Sequence, residues 1–242
     1  GFANRLGDDE YRVRVANRDR FRDSFFRWIE EGARAAVVTD LHHQVESSEY
    51  AGYLNASSTV GDQLTISVIR SYENIAHTFF LPGHIPVTPG QYEWWHVTSR
   101  IDTSFARPFT VFWETDCCEY YDGKYFRSDI TLDWRIDPTF SFNFEQVTTV
   151  LDMPKGSQNV YIGLLDFQIN FTPDMQLRTQ VQYDNITKQM SVLARYNWEY
   201  EPGQEIFASV GDTSIVDGTL FKPNYHARTT QAILRIGHTF QF

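Results

Sequence analysis

The chain has 242 residues and a formal net charge of −10, with 21 Lys and Arg against 31 Asp and Glu, which excludes the clustered cationic surface that nucleic-acid binding needs. Its mean hydropathy of −0.40 and the lack of any run of about 18 apolar residues exclude a transmembrane helix, but not strands whose side chains alternate between apolar and polar. The two cysteines, Cys117 and Cys118, are neighbours; they cannot close a long loop and lack the C-x-x-C spacing of a redox motif, leaving a vicinal disulfide or two free thiols.

In chain order, Tyr11, Val13 and Val15 alternate with Arg12 and Arg14, which predicts a strand. Residues 25–38 read either as a short helix, with Phe25, Ile29 and Ala33 on one face, or as two strands turning at Gly32. Residues 50–58 and 63–70 read as a hairpin turning near Val60-Gly61-Asp62. Residues 77–90 hold Pro82, Gly83, Pro86, Pro89 and Gly90 and read as a loop. From residue 91 onward the alternation is nearly continuous. Trp95, Val97 and Ile101 oppose His96, Thr98 and Arg100; Ile130, Leu132 and Trp134 oppose Asp129, Asp133 and Arg135; Leu165, Phe167 and Ile169 oppose Asp166, Gln168 and Asn170. In the last stretch Ala232, Leu234, Ile236, Phe240 and Phe242 share a face, interrupted only by His238.

This pattern predicts an all-β fold of about 12–14 antiparallel up-and-down strands, one apolar face and one charged face apiece, over a single domain of residues 1–242 whose first 47 residues are the least defined. Strands of roughly 10 to 14 residues exceed the soluble average and suit a tilted transmembrane strand. Tight turns are expected at Asp137-Pro138, Thr172-Pro173-Asp174 and Pro202-Gly203, and longer connections around residues 118–124, 152–157 and 212–228. Short turns at one end and long loops at the other are the asymmetry of a transmembrane β-barrel, with short periplasmic turns and long extracellular loops. Trp134, Phe140, Phe171, Trp198 and Tyr200 cluster toward the short-turn end on the apolar face, as a membrane-interface girdle would. Asp133, Arg135, Glu145, Asp166, Arg178, Arg195, Glu199 and Arg235 fall on the polar face and are the candidate lumen lining; their mixed signs point to pairing more than to a selective pore.

Several stretches resemble a known family. Val181-Gln-Tyr-Asp-Asn185 and Arg195-Tyr-Asn-Trp-Glu-Tyr-Glu-Pro-Gly-Gln-Glu-Ile-Phe207 are similar to the C-terminal region of uncharacterised bacterial proteins labelled carbohydrate-binding family 9-like or DUF5916 domain proteins. Further matching pieces are residues 85–92, Tyr121-Asp122-Gly123 and Met153-Pro154-Lys155-Gly156, so the resemblance covers roughly residues 48–242. It implies a C-terminal outer-membrane barrel that in the family follows an N-terminal β-sandwich. It also implies that the final strand, ending in Phe240 and Phe242, is the signal read by the barrel-assembly machinery. The family carries no settled activity to transfer, and the sugar-binding sandwich has no counterpart in these residues.

Catalytic and metal constellations are sparse. His42-His43 with Glu46 and Glu49 would point to opposite sides of a strand, which is poor geometry for one metal. A hydrolase needs Ser or Thr beside a His base and an orienting acid; His226 near Asp217 and His84 near His77 are the rim candidates, with no motif around either. The sequence therefore predicts a bacterial outer-membrane β-barrel, porin-like or acting as an anchor, without cofactor or enzymatic role. Its partners would be outer-membrane lipid, the assembly machinery and a periplasmic or surface protein. A soluble carbohydrate-binding β-protein and an outer-membrane hydrolase are the alternatives.

Overall fold

A computed structural model describes residues 9–219 and 222–238; Phe240 and Phe242, the predicted assembly signal, lie outside them. The described chain is all-β, with strands β1 (Asp9–Arg20), β2 (Phe26–Thr39), β3 (Val45–Ser58), β4 (Gln63–Ile75), β5 (Phe79–Leu81), β6 (Ile85–Val87), β7 (Gly90–Asp102), β8 (Phe109–Tyr120), β9 (Gly123–Arg135), β10 (Phe140–Met153), β11 (Gly156–Thr172), β12 (Met175–Asp184), β13 (Gln189–Glu201), β14 (Gln204–Thr219) and β15 (Lys222–His238). Strands β5 and β6 pair only with each other, around a 3-10 turn at Pro82–His84. The other 13 form one sheet whose spatial order is the chain order. That number lies between 12 and 14 but is odd, where a closed bacterial barrel is expected to have an even count. Among the described residues no ladder joins β1 to β15, so the sheet is an open series of hairpins.

Two expectations are corrected. Residues 26–39 are neither a helix nor a hairpin turning at Gly32: they form the single strand β2, and the chain reverses earlier, at residues 21–25. Gly32 looked like a turn residue but serves close approach. It lies directly across from Tyr53, and a Cβ there would meet the Tyr53 hydroxyl and the Val15 carbonyl oxygen at 2.6 Å. The long extracellular loops are also absent at the three predicted places. Residues 118–124 hold a two-residue turn, Tyr121-Asp122, and residues 152–157 turn at Pro154-Lys155. Residues 212–219 and 222–228 continue as ladder, with Asp212 opposite Thr230 and Thr219 opposite Lys222. Polar side chains on both faces resemble a loop in sequence, yet the backbone ladder forms regardless, and Asp212 accepts from Ser214 and Thr230 at 2.6 Å each. The remaining long connection is residues 76–89, which carries the β5–β6 hairpin.

The predicted tight turns form where the sequence puts turn chemistry. The Asp137 carboxylate accepts the backbone N–H of Thr139 at 2.7 Å and of Phe140 at 2.8 Å, the side-chain mimicry that makes Asp a turn former. Gly203 sits at φ +78°, a conformation that glycine adopts without steric cost.

Contacts divide the strands into two compact units. One comprises the described residues up to 104 with 112–128 and 149–159; the other comprises 105–111, 129–148 and the described residues from 160. The first holds the apolar core: Ile85, Leu151 and Met153, packed against Leu81, Tyr120, Tyr121 and Tyr125. The predicted loop at 77–90 is thus a small hairpin anchored by Ile85. Tyr121 lies at the centre of its aromatic surround, with ring centroids 4.6 Å from Tyr120, 4.8 Å from Trp94 and 5.3 Å from Tyr92. Its hydroxyl donates to Glu73 at 2.7 Å.

Burial, then the bond to Glu73, raises the Tyr121 pKa above its ordinary value of 10.0. The proton is held more tightly in the folded chain. The contribution to stability is therefore complete below pH 10 and is lost as pH rises from there through the folded-state pKa. In urea titrations above pH 10, Tyr121→Phe is expected to lose stability less steeply than the parent; equal slopes would show that Tyr121 does not carry the alkaline sensitivity.

Candidate functional site

The antiparallel register lines up side chains of one face from strand to strand. In the first unit Arg14 lies opposite Arg34, Arg34 opposite Ala51, Ala51 opposite Ile69, Ile69 opposite His96 and His96 opposite Cys118. Because side chains alternate with period two, each polar residue two positions along belongs to the same face. The polar face is the buried one. Glu30 is 5% exposed, Ser67 3% and Asp166 8%, while Val15 is 70% exposed, Trp95 54%, Leu234 70% and Ile236 69%. A soluble β-protein distributes these residues the other way round.

In the first unit the buried carboxylate of Glu30 on β2 is held by Arg14 and Arg18 on the neighbouring strand. Arg18 Nη2 lies 2.6 Å from Glu30 Oε2, and Arg14 donates to Oε1. Tyr53 and Asn55 on β3 donate to the same oxygen at 3.3 and 3.4 Å. Arg14 in turn donates to the Tyr53 hydroxyl at 2.6 Å, and the Arg18 guanidinium sits 4.3 Å over the Trp28 ring. Farther along the face, Arg100 bonds Asp102 at 2.7 Å, approaches Glu114 at 3.8 Å and stacks on Phe112. A cavity of about 710 Å³ opens on this face, with Arg12, Arg34, Glu49, Ser71 and Trp94 in its wall.

In the second unit five of the eight predicted lumen charges, Asp133, Arg135, Glu145, Asp166 and Arg178, line one cavity of about 550 Å³. Arg178 forks onto Asp166, with Nε at 2.8 Å and Nη2 at 2.5 Å from Oδ2, and Gln180 donates to the same oxygen at 2.8 Å. Asp133 accepts from Asn143 at 2.7 Å, and Arg135 donates to the carbonyls of Phe105 and Arg107 at 2.5 and 2.6 Å. Arg195 stands directly across from Arg178. Arg235 bonds Glu205 at 2.8 Å and lies over Phe207. Glu199 differs from the expectation: its carboxylate accepts the backbone N–H of Gly203 at 2.9 Å and belongs to the turn. A carboxylate one turn from a Gly in positive φ meets an unpaired N–H before it meets a distant cation.

The predicted girdle residues Trp134, Phe140, Phe171, Trp198 and Tyr200 are all exposed; Phe140 opens β10 and the others lie near the ends of β9, β11 and β13, which in an antiparallel sheet is one and the same edge of the second unit. Phe109 meets Trp134 edge on at 6.4 Å and Trp198 meets Tyr200 at 5.7 Å, while Phe140 stacks on Phe167 at 6.3 Å.

The histidines singled out from sequence occupy other surroundings. His42 and His43 lie in the β2–β3 turn, not in a strand, and Asp40 accepts the backbone N–H of His42 and Gln44. Asp217 is bonded by Lys188 at 3.4 Å, His226 lies across from Ile215, and the His84 ring packs near Phe80. Sequence reading missed His96, which sits between Ser71 and Asp116 on the polar face of β7. The signal was available only by registering three strands, since these residues are far apart in the chain. Cys117 and Cys118 are placed as a vicinal pair joined through their sulfurs. No protein family, curated protein or solved structure matches the chain.

Asp166→Ala removes the partner of a forked guanidinium. Because half of the Arg178 side chain is solvated, the loss is expected at the low end for a charged hydrogen bond, about 1–2 kcal/mol, read as a lower urea midpoint at unchanged slope. An unchanged midpoint would show that solvent already screens the pair.

Proposed function

We propose that the protein is an outer-membrane β-barrel whose polar face lines a lumen and whose apolar face meets lipid, serving as a porin-like pore or as the membrane anchor of a periplasmic or surface partner. The observation that carries this reading is the inversion of burial: Glu30 and Asp166 are shielded while Val15, Trp95, Leu234 and Ile236 stand in the open. Apolar area left in water forgoes about 25 cal/mol per Å², and covering that surface with hydrocarbon recovers it. Closed strand pairing would at the same time leave no backbone group unbonded in lipid.

Strand length supports the same reading. The strands of the sheet run from 10 residues in β12 to 17 in β11 and β15, enough to cross a bilayer at the usual tilt. Trp134, Phe140, Phe171, Trp198 and Tyr200 would form the girdle at the periplasmic interface, and the sequence ending in Phe240 and Phe242 would supply the assembly signal. The lumen charges favour a filled, ion-paired interior: Arg178, Arg235, Arg14 and Arg18 each have an acidic partner within bonding distance. On this reading anchoring is the stronger of the two roles, and the family resemblance, in which a barrel follows another domain, agrees with it.

Reconstitution tests the membrane reading. Folded protein in vesicles of brominated phosphatidylcholine is expected to lose most of its tryptophan fluorescence from Trp95, Trp134 and Trp198, and to need detergent when lipid is absent. A monodisperse protein in plain buffer, unquenched by brominated vesicles, would favour the soluble carbohydrate-binding alternative. Planar-bilayer recordings then separate the roles, since an ion-paired plugged lumen gives no steady conductance and an open pore does.

A further inference from the structure

Three side chains on adjacent strands of the first unit form a hydrogen-bonded series that neither a pore nor an anchor requires. His96 on β7 faces Ile69 of β4 and Cys118 of β8 directly, and it reaches Ser71 and Asp116 along the two diagonals. Its Nδ1 lies 2.8 Å from Asp116 Oδ1, and its Nε2 lies 3.2 Å from Ser71 Oγ. The chemistry of the partners fixes the protons. An ionised carboxylate only accepts, so Nδ1 carries the hydrogen; the neutral ring then offers its lone pair at Nε2, and the Ser71 hydroxyl donates to it. Hydroxyl, base and orienting acid thus stand in the order that activates a serine nucleophile.

The surroundings distinguish this series from ordinary polar filling. Some hydroxyls on neighbouring strands pair with hydroxyls, as Ser99 does with Thr115 at 2.7 Å and Ser191 with Thr213 at 3.2 Å; Thr230 donates to Asp212 at 2.6 Å and Ser128 accepts from Trp113 at 2.9 Å, and none of these contacts includes an imidazole. Ser71 has a base, and it also lines the cavity of about 710 Å³. Glu49 is its direct partner on β3, and Glu49 bonds Arg34 at 3.2 Å, which places a guanidinium on the same wall. A cation there can meet the negative charge that develops on a carbonyl oxygen under attack.

We propose that Ser71, His96 and Asp116 form an acyl-transfer site that hydrolyses carboxylic esters admitted to this cavity. Ser71 Oγ attacks the ester carbon and its proton passes to His96 Nε2. The tetrahedral adduct places its oxyanion toward Arg34, then collapses with cleavage of the bond to the alkoxy group, which leaves as the alcohol with the proton from His96. Water, deprotonated by the same nitrogen, attacks the acyl-Ser71 ester and releases the carboxylic acid, and His96 returns the proton to Ser71. Asp116 touches no substrate; it is a positioning residue that holds the imidazole in the tautomer the first step needs. The site makes the barrel more than a passive scaffold, and it does not depend on where the apolar face lies.

The test uses the full chain folded in detergent, a fluorophosphonate probe and mass-spectrometric mapping. Covalent labelling at Ser71 is expected, abolished by Ser71→Ala and slowed roughly a hundredfold or more by His96→Gln and Asp116→Asn, with hydrolysis of p-nitrophenyl acetate falling in parallel. Asp116→Asn keeps a side chain of the same shape, and Ser67→Ala, a buried serine of the same strand face, is expected to label like the parent. Heat-modifiable migration on gels confirms that each variant is folded. Failure of the folded parent to label at Ser71, or labelling as fast in folded His96→Gln as in the parent, would overturn the proposal. Neither outcome bears on the membrane reading, which the brominated-lipid experiment decides by itself.

Discussion

Everything described here depends on strand register. The side-chain period of a strand is two, so a slip of one residue between neighbours would carry every side chain of that strand to the opposite face. The ladder from β1 to β4 and on to β7 and β8 runs with few interruptions, at Phe26/Trp28 and Val38/Thr39. That continuity lets Glu30, Tyr53 and Asn55, contributed by two strands, converge with Arg14 and Arg18 from a third. It also sets His96 midway between a serine on one neighbour and an aspartate on the other. In the second unit the same discipline brings Asp166, Arg178 and Gln180 together across β11 and β12.

A face made of such groups has strict requirements. A shielded carboxylate without partners is costly, far more so than an unpaired amide. The networks answer by multiplying donors: Glu30 receives from two guanidinium groups, a phenol and an amide. This face depends on satisfying its polar groups, while Ile85, Leu151 and Met153 form a small apolar cluster and Ala51, Ile69 and Trp94 add single buried apolar side chains. Each of the two cavities is lined in part by polar side chains already held by partners, such as Arg34 by Glu49 and Arg178 by Asp166, and preorganised polar groups of that kind can bind or react without first paying to reorder.

Much of this was legible in the sequence because alternation is a local signal. The strands after residue 91, the aromatic ends at Trp134, Phe140, Phe171, Trp198 and Tyr200, and the charged face with Asp133, Arg135, Glu145, Asp166 and Arg178 all follow from the period of two. What failed was local chemistry with two meanings. Gly32 reads as a turn, yet it is in a strand because the Tyr53 hydroxyl needs the space that a Cβ would fill. Residues 212–228 read as a loop since their polar side chains carry no alternation, although the backbone ladder does not need one. Glu199 shares the periodicity of a lumen residue, but the neighbouring Gly203 N–H captures it. The Ser71, His96 and Asp116 series was invisible for a different reason: diagonal contacts across three strands depend on turn lengths, and each turn misread by one residue changes which side chains meet.

The clamp on Glu30 has a mechanical side. Among the described residues β1 has a ladder on one flank only, and it is exposed along its whole length. Such an edge would ordinarily fray or exchange with any passing strand. Two arginines from β1 grip a carboxylate sunk in its neighbour, so peeling the strand away means stranding a shielded charge as well as opening a ladder. The edge is riveted from its polar side, leaving its backbone free to accept another strand without being lost to one.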